Sequence, residues 1–273
     1  MPNFVYFGTP TVASETLSRL LAHGFVPKLI VTSPDAPRGR GLVLTPSPVK
    51  AMAIENGIPY ITPERLDEAT IAEIASYDCD VGICVAYGKI FPEALINSFT
   101  KGVLNVHYSL LPRHRGATPL EAALLAGDSE TGVTVQKMVK ALDAGDIVAQ
   151  ERTTIDGTET ARELRPRLIA LGAELLVETL PGYLDGSITS VAQDSTEATH
   201  AGKLKKEDGL IDLFTDAQEN WRKYRAYDDT IGTYLVRNGK RIKIITADYQ
   251  NGSFTPLRVV PEGKTETDFS SLG

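Results

Sequence analysis

The chain has 273 residues, 42% of them apolar and 23% charged, a size and composition that suit a soluble protein of two domains and exclude a disordered chain. Its net charge of −7 argues against indiscriminate phosphate binding, although the charge is uneven: residues 200–273 carry 12 basic and 11 acidic side chains, residues 1–199 carry 16 and 24. No apolar run approaches the roughly 18 residues that cross a bilayer, and MPNFVYFGTP opens without a basic, cleavable leader, so a cytoplasmic location is expected.

In chain order, NFVYFG (3–8) reads as a short buried strand, and Val12, Ala13, Leu17, Leu20 and Leu21 have helical spacing up to Gly24. KLIVTS (28–33) repeats the strand signal. After a Pro-, Gly- and Arg-rich loop from Pro34 to Pro48 come a helix near 49–56, the strand PYIT, a helix near 68–76 and the strand DVGICVAYG (80–88). Cys84 lies in that apolar run and reads as a small core residue; with Cys79 it makes the whole cysteine complement, so neither a disulfide nor a metal site is expected. A short helix after Pro92 leads to the strand GVLNVHYS, and a small-residue helix follows Pro119. Strands alternating with helices predict an α/β fold with a doubly wound, mostly parallel sheet.

The pattern changes after Gly127. TGVTVQKMV (131–139) and GDIVAQERTTI (145–155), joined by KALDA, predict a hairpin at the sheet margin, and a helix over about 160–180 should kink or start late at Pro166. Residues 185–205 are polar and irregular, a linker between a domain over 1–184 and a smaller β-rich domain over 206–273, where Asn238–Gly239 marks a turn.

Ligands of open parallel sheets bind beyond the carboxyl ends of the strands, which selects Gly8-Thr9-Pro10, Ser33-Pro34-Asp35, Ala86-Tyr87-Gly88 and Asn105-Val106-His107. The single glycine of FGTPTVAS falls short of a dinucleotide fingerprint, and there is no Walker lysine. Asn105 and His107 are two apart in a strand, so both point to one face. There an amide donor and an imidazole can hold an oxygen that gains charge and can move a proton, chemistry suited to acyl-type transfer. Taken alone, a buried Asn and His satisfied by backbone would be the better explanation. His107 and His114 match no metal spacing, and Ser109 lacks a nucleophile elbow. Arg113, His114 and Arg115 read as a solvated loop, and Asp143 and Asp146 as turn-formers flanking Gly145.

NVHYSLLPRHRGATP, AYGKIFP, TGVTVQKMVKALDAGDI and the loop SPDAPRGRGLVLTPSPVK together resemble the methionyl-tRNA formyltransferases, a branch of the enzymes that transfer formyl from 10-formyltetrahydrofolate. The likeness is collinear over about residues 3–206. It implies a Rossmann-like formyltransferase domain, a catalytic trio of Asn105, His107 and Asp143, and 10-formyltetrahydrofolate as a consumed co-substrate without a metal. It further implies folate contacts at Ser109, Leu110, Leu111, Pro112, Tyr87, Gly88 and Ile90, contacts to charged initiator tRNA at Arg38, Arg40 and Lys50, and a monomer.

The chain departs from that family in four places. Leu42 and Val43 replace the lysines usual after Gly-Arg-Gly, and Tyr108, where glycine is common, can narrow the pocket mouth or supply a phenol. YDDTIG (227–232) lacks the tryptophan and prolines of the family's second domain, removing an aromatic anchor. The second domain is short for the family's oligonucleotide-binding-type (OB-type) β-barrel, so a reduced barrel of about three strands is expected. Two other functions compete: a sugar-nucleotide N-formyltransferase using the same folate donor, and a catalytically silent folate- or RNA-binding protein.

Overall fold

The computed structural model describes residues 2–39 and 41–272, Arg38 through its backbone alone. In chain order the elements are β1 (Phe4–Gly8), α1 (Thr11–Ala22), β2 (Leu29–Val31), β3 (Ala36–Arg38), β4 (Val43–Thr45), α2 (Pro48–Glu55), β5 (Tyr60–Ile61), α3 (Glu68–Ala75), β6 (Val81–Val85), α4 (Glu93–Asn97) and β7 (Val103–His107). There follow β8 (Arg115–Gly116), α5 (Pro119–Ala126), β9 (Glu130–Lys137), β10 (Ile147–Thr154), α6 (Ala161–Asp185), β11 (His200–Ala201), α7 (Ala217–Tyr227), β12 (Thr233–Arg237), β13 (Lys240–Gln250), β14 (Ser253–Pro261) and β15 (Thr267–Asp268). Two units emerge: Met1–Arg115 with Gly132–Arg152 and Leu168–Thr199, and Gly116–Thr131 with Thr153–Arg167 and His200–Gly273.

The first unit is built on a seven-stranded sheet, ordered β10-β9-β7-β6-β1-β2-β5. β1 pairs in parallel with β2 and with β6, so strand order reverses beside β1, the doubly wound arrangement expected from the alternating pattern. All five residues of β1 and of β6 are buried, as uninterrupted apolar runs in a sheet covered on both faces should be. Helix starts follow local chemistry. Ser47 caps α2 by accepting from Lys50 N at 2.9 Å, with Pro48 in its first turn, and Asp67 caps α3 by accepting from Thr70 N at 3.0 Å. Phe7, Tyr87, Phe91 and Phe99 pack edge to face in the core, the Phe7–Phe91 centroids 4.9 Å apart.

Two local expectations are corrected. The loop expected over Pro34–Pro48 contains a hairpin in which β3 and β4 pair Ala36 with Thr45, Pro37 with Leu44 and Arg38 with Val43. Helix α6 starts at Ala161, five residues before Pro166, so it does not start late at that proline. The polar segment after α6 is stitched into the first unit: Val191 and Ile147 exchange backbone hydrogen bonds, both 2.8 Å.

The second unit holds α5, α7 and an antiparallel four-stranded sheet ordered β12-β13-β14-β15. Asn238 and Gly239, at φ 53° and 72°, make the tight β12–β13 turn expected from their sequence. The expected three strands become four because Thr267 and Asp268 add a short strand to β14; Leu210 bridges to Tyr234 on β12, and among the described residues β12 and β15 do not pair to close a barrel. An aromatic anchor is present after all. Trp221 of α7 stacks with Tyr224 and with Tyr249, centroids 5.5 and 6.0 Å apart, and donates to Gly157 O at 3.1 Å.

Candidate active site at the exit of strand β7

Register creates this site. Cys84 lies opposite Asn105 across β6 and β7, and Asn105 and His107 lie opposite Gln136 and Thr134 across the antiparallel β7–β9 pair. Side chains alternate along a strand, so Asn105, His107, Thr134 and Gln136 share one face of the sheet. Val106 and Val133 take the other face, where Gly172 of α6 packs; a Cβ on Gly172 would sit 3.0 Å from Val106 Cγ1. Tyr108 follows that alternation. Its hydroxyl pairs with Thr16 of α1 at 3.2 Å and its ring lies against Gly172, so it occupies the helix-covered face and neither narrows a pocket mouth nor offers a phenol beside His107.

Two segments close over the polar face. After β7 the chain turns at Ser109–Arg115, containing a cis Leu111–Pro112 peptide. Ser109 Oγ donates to Arg113 O at 2.7 Å, His114 N to Thr199 Oγ1 at 2.8 Å and Arg115 N to Thr199 O at 2.8 Å. The second segment is the link between β9 and β10. Gly145 lies so near the Lys137 carbonyl that a Cβ would fall 1.8 Å from its oxygen, which only glycine permits. Asp143 is placed at the bend in a left-handed conformation, φ 48°.

Asn105, His107 and Asp143 converge there. Asp143 Oδ1 lies 3.5 Å from Asn105 Nδ2, 3.7 Å from His107 Nδ1 and 2.8 Å from Gln136 Nε2. His107 is buried, and its Nε2 lies 3.0 Å from the His114 carbonyl. A carbonyl can only accept, so Nε2 carries the proton and the neutral ring turns its Nδ1 lone pair toward Asp143. Burial pushes the imidazolium below its ordinary pKa; Asp143 and the His114 carbonyl oppose that shift without overcoming it. The site thus presents an amide donor, an imidazole lone pair and a carboxylate together, a set able to take a proton from an attacking nucleophile and hold an oxyanion. Cys84 stays a thiol, its pKa pushed up to about 12 by burial.

The other expected residues are spread around this centre. Ser109 and Leu111 are buried, Leu111 O accepting from Gln150 Nε2 at 2.7 Å. Leu110 and Pro112 are half-buried between them. At the β1, β2 and β6 exits, Thr9 Oγ1 bonds Ser33 Oγ at 3.0 Å and Tyr87 O at 3.3 Å, gathering three of the selected strand ends. Gly88 has a positive φ, and Ile90 is 92% exposed. Lys50 Nζ donates to Asp35 at 2.6 Å and lies over the Tyr60 ring. Arg38 contributes β3 backbone, and Arg40 lies outside the described residues. Among the described residues no cluster of His, Cys, Asp and Glu could hold a metal, and no helix is long and apolar enough to cross a membrane.

Sequence reasoning passed over five residues. Thr134 and Gln136 carry a readable signal, polar residues at alternate positions of a buried strand; Gln193 carries none. His114 and Arg115, expected in a solvated loop, are buried: the former acts through its carbonyl, and the Arg115 guanidinium bonds Gln193 Oε1 at 3.0 and 2.7 Å.

The chain matches the formyl transferase family over residues 3–180 and the formyl transferase C-terminal domain over residues 203–265. It is 42% identical over 240 residues to the methionyl-tRNA formyltransferase of Carboxydothermus hydrogenoformans, covering 88% of this chain and 78% of that protein. It is 39% identical over 263 residues to the Myxococcus xanthus methionyl-tRNA formyltransferase, covering 96% and 84%. In fold it resembles the N-formyltransferase from Helicobacter canadensis, solved with folinic acid and dTDP-3-aminofucose, with TM-score 0.70, 20% identity and coverage of 92% and 89%. The chain belongs to the formyl transferase family, in the methionyl-tRNA formyltransferase branch.

Proposed function

We propose that this protein transfers the formyl group of 10-formyltetrahydrofolate to the α-amine of methionyl-tRNA, formylating the initiator tRNA in the cytoplasm. The carrying observation is the meeting of Asn105, His107 and Asp143 at one strand exit in a chain 42% identical to a methionyl-tRNA formyltransferase. In this reading residues 1–184 form the catalytic domain, 206–273 a small second domain and 185–205 the connection, and the protein works as a monomer.

The amine nitrogen attacks the formyl carbon, forming the new C–N bond and a tetrahedral oxyanion. Asn105 Nδ2 donates to that oxyanion. His107 Nδ1, neutral because burial disfavours its charge, accepts the proton leaving the amine, and Asp143 beside it stabilises the imidazolium. As the bond from carbon to N10 breaks, the proton passes from Nδ1 to N10, leaving tetrahydrofolate and N-formylmethionyl-tRNA. The His114 carbonyl keeps Nε2 occupied throughout, so one ring nitrogen orients and the other reacts.

For the folate, the backbone of Ser109–Pro112 supplies a fixed edge, and the exposed Ile90 beside the Tyr87–Gly88 turn supplies an apolar face for a flat ring. For tRNA, Arg38 on β3 and Lys50 at the start of α2 are the contacts this reading takes from the described residues, with Arg40 between them in sequence; Lys50 can reach phosphate only by leaving Asp35. The test offers 10-formyltetrahydrofolate with charged initiator methionyl-tRNA or with a dTDP-amino sugar. Formyl transfer to the tRNA alone is expected. Transfer to the sugar alone would overturn the reading in favour of a sugar-nucleotide N-formyltransferase, and absence of transfer to either would favour a silent binding protein.

A further inference from the structure

We infer that Gln136 and Gln193 are positioning residues that hold Asp143 in its working place, an inference that rests on the formyl-transfer reading. Asp143 needs holding: its φ of 48° lies where side chains other than glycine are disfavoured. Two amides supply the restraint from different directions.

Gln136, 1% exposed on β9, donates Nε2–H to Asp143 Oδ1 at 2.8 Å, closer than Asn105 Nδ2 at 3.5 Å or His107 Nδ1 at 3.7 Å. Gln193, from the irregular segment after α6, donates Nε2–H to Asp143 O at 2.9 Å and to Gly145 O at 2.7 Å. Its orientation is fixed by elimination: the Arg115 guanidinium can only donate, so Gln193 Oε1 faces it, and the two carbonyls can only accept, so Nε2 faces them. Gln193 Nε2 also lies 3.4 Å from Gln136 Oε1, joining the amides in one chain from Arg115 to the carboxylate. A neutral amide is the group this position requires. It passes a donor to Asp143 without neutralising it, where a lysine or arginine would pair with the carboxylate and weaken its stabilisation of the His107 imidazolium.

The test is a double-mutant cycle on Gln136→Leu and Asp143→Asn, with Gln193→Glu as a second variant and thermal melting as the folding control. Leucine fits a buried position and removes only the amide. Gln136→Leu should lower kcat about 10- to 100-fold, the scale of losing the placement of a reacting group, with KM for tRNA and folate within about threefold and melting little changed. In the Asp143→Asn background the same change should cost less than about twofold, because the carboxylate that it positions is already gone. Gln193→Glu keeps an acceptor for Arg115 but loses both donors to the link, so it should lose kcat in the same way. Additive losses in the cycle, wild-type kcat in Gln136→Leu, or losses confined to KM or melting temperature would overturn the inference. Formylation by the unmutated chain, run alongside, distinguishes this failure from failure of the formyl-transfer reading itself.

Discussion

Thr134→Val removes one hydroxyl from the middle of the site and leaves its shape nearly unchanged. That hydroxyl, fully buried, donates to Ser109 O at 2.7 Å and accepts from Leu111 N at 3.1 Å and Gln150 Nε2 at 2.9 Å. Gln150 keeps a second partner in Leu111 O, so its loss is small. The Leu111 N–H and Ser109 carbonyl lose their bonds to Thr134 inside the protein. At about 1 kcal/mol net for a hydrogen bond and about 1–3 kcal/mol for a buried group left unmatched, the variant should lose about 3 kcal/mol of stability. For a chain of this size that lowers the melting temperature by about 6–12 °C.

The same bonds tie the Ser109–Leu111 backbone to β9, so the folate edge should loosen while Asn105 and His107 stay in their strand. The KM for 10-formyltetrahydrofolate should rise about tenfold or more, with a smaller change in kcat at saturating folate. Thr134→Ser keeps the hydroxyl and should restore most of the folate affinity. Melting within 2 °C of wild type (a shift that corresponds to about 1 kcal/mol or less), or an equal folate defect in Thr134→Ser, would refute the assignment of this loop's shape to the hydroxyl.

Asn105→Ala should reduce kcat by about 100- to 1,000-fold, the loss typical of one oxyanion donor, with little change in melting because its bond to Asp143 is long at 3.5 Å. A loss below threefold under saturating substrates would remove Asn105 from the chemistry. His107 gives a pH signature in stability. Burial lowers its folded-state pKa, so below an unfolded value of about 6.5 the unfolded chain takes up a proton that the folded chain resists. Unfolding free energy in urea should therefore fall as pH drops below about 6.5, by up to about 1.4 kcal/mol per pH unit, until the folded-state pKa is reached; His107→Phe should lack this component. In the second unit, Arg165 bonds Glu121 at 2.8 Å and Asp229 at 2.7 and 3.1 Å. Arg165→Met leaves Glu121, whose side chain is 5% exposed, without this partner and should cost about 3 kcal/mol by urea denaturation. Adding Glu121→Gln should recover part of that loss, and no recovery would mean the packing of Arg165 matters more than its charge.

The parity of Asn105 and His107 was legible because strand alternation is local: two polar residues two apart in an apolar run must share a face. Asp143 was not legible this way. Its sequence neighbours make it a turn-former, and only family resemblance joined it to His107, because the joining is done by the β7–β9 register across non-local chain. The same limit explains Gln193 and Thr199, which have no periodic pattern and reach the site from beyond α6. It also explains the missed fourth strand β15, two residues long; helix α7 was missed for another reason, because its many charged and amide side chains mask the helically spaced Ala217, Trp221 and Tyr224 that face the core.

His114 exposes a different limit. A reading that asks what each side chain can do discarded it, yet its backbone carbonyl selects the His107 tautomer. A physical criterion would have pointed nearer. β9 buries Thr134 and Gln136 on the same face on which β7 carries Asn105 and buries His107. Burying polar groups without partners costs several kcal/mol each, and residues aligned on one pleated face cannot satisfy one another fully. Chain segments must therefore cross that face and bring acceptors and donors to it. The loop after β7, the Asp143 link and the segment through Thr199 are those segments, and the bonds that make the pair of strands affordable are the ones that fix the imidazole and the carboxylate in place.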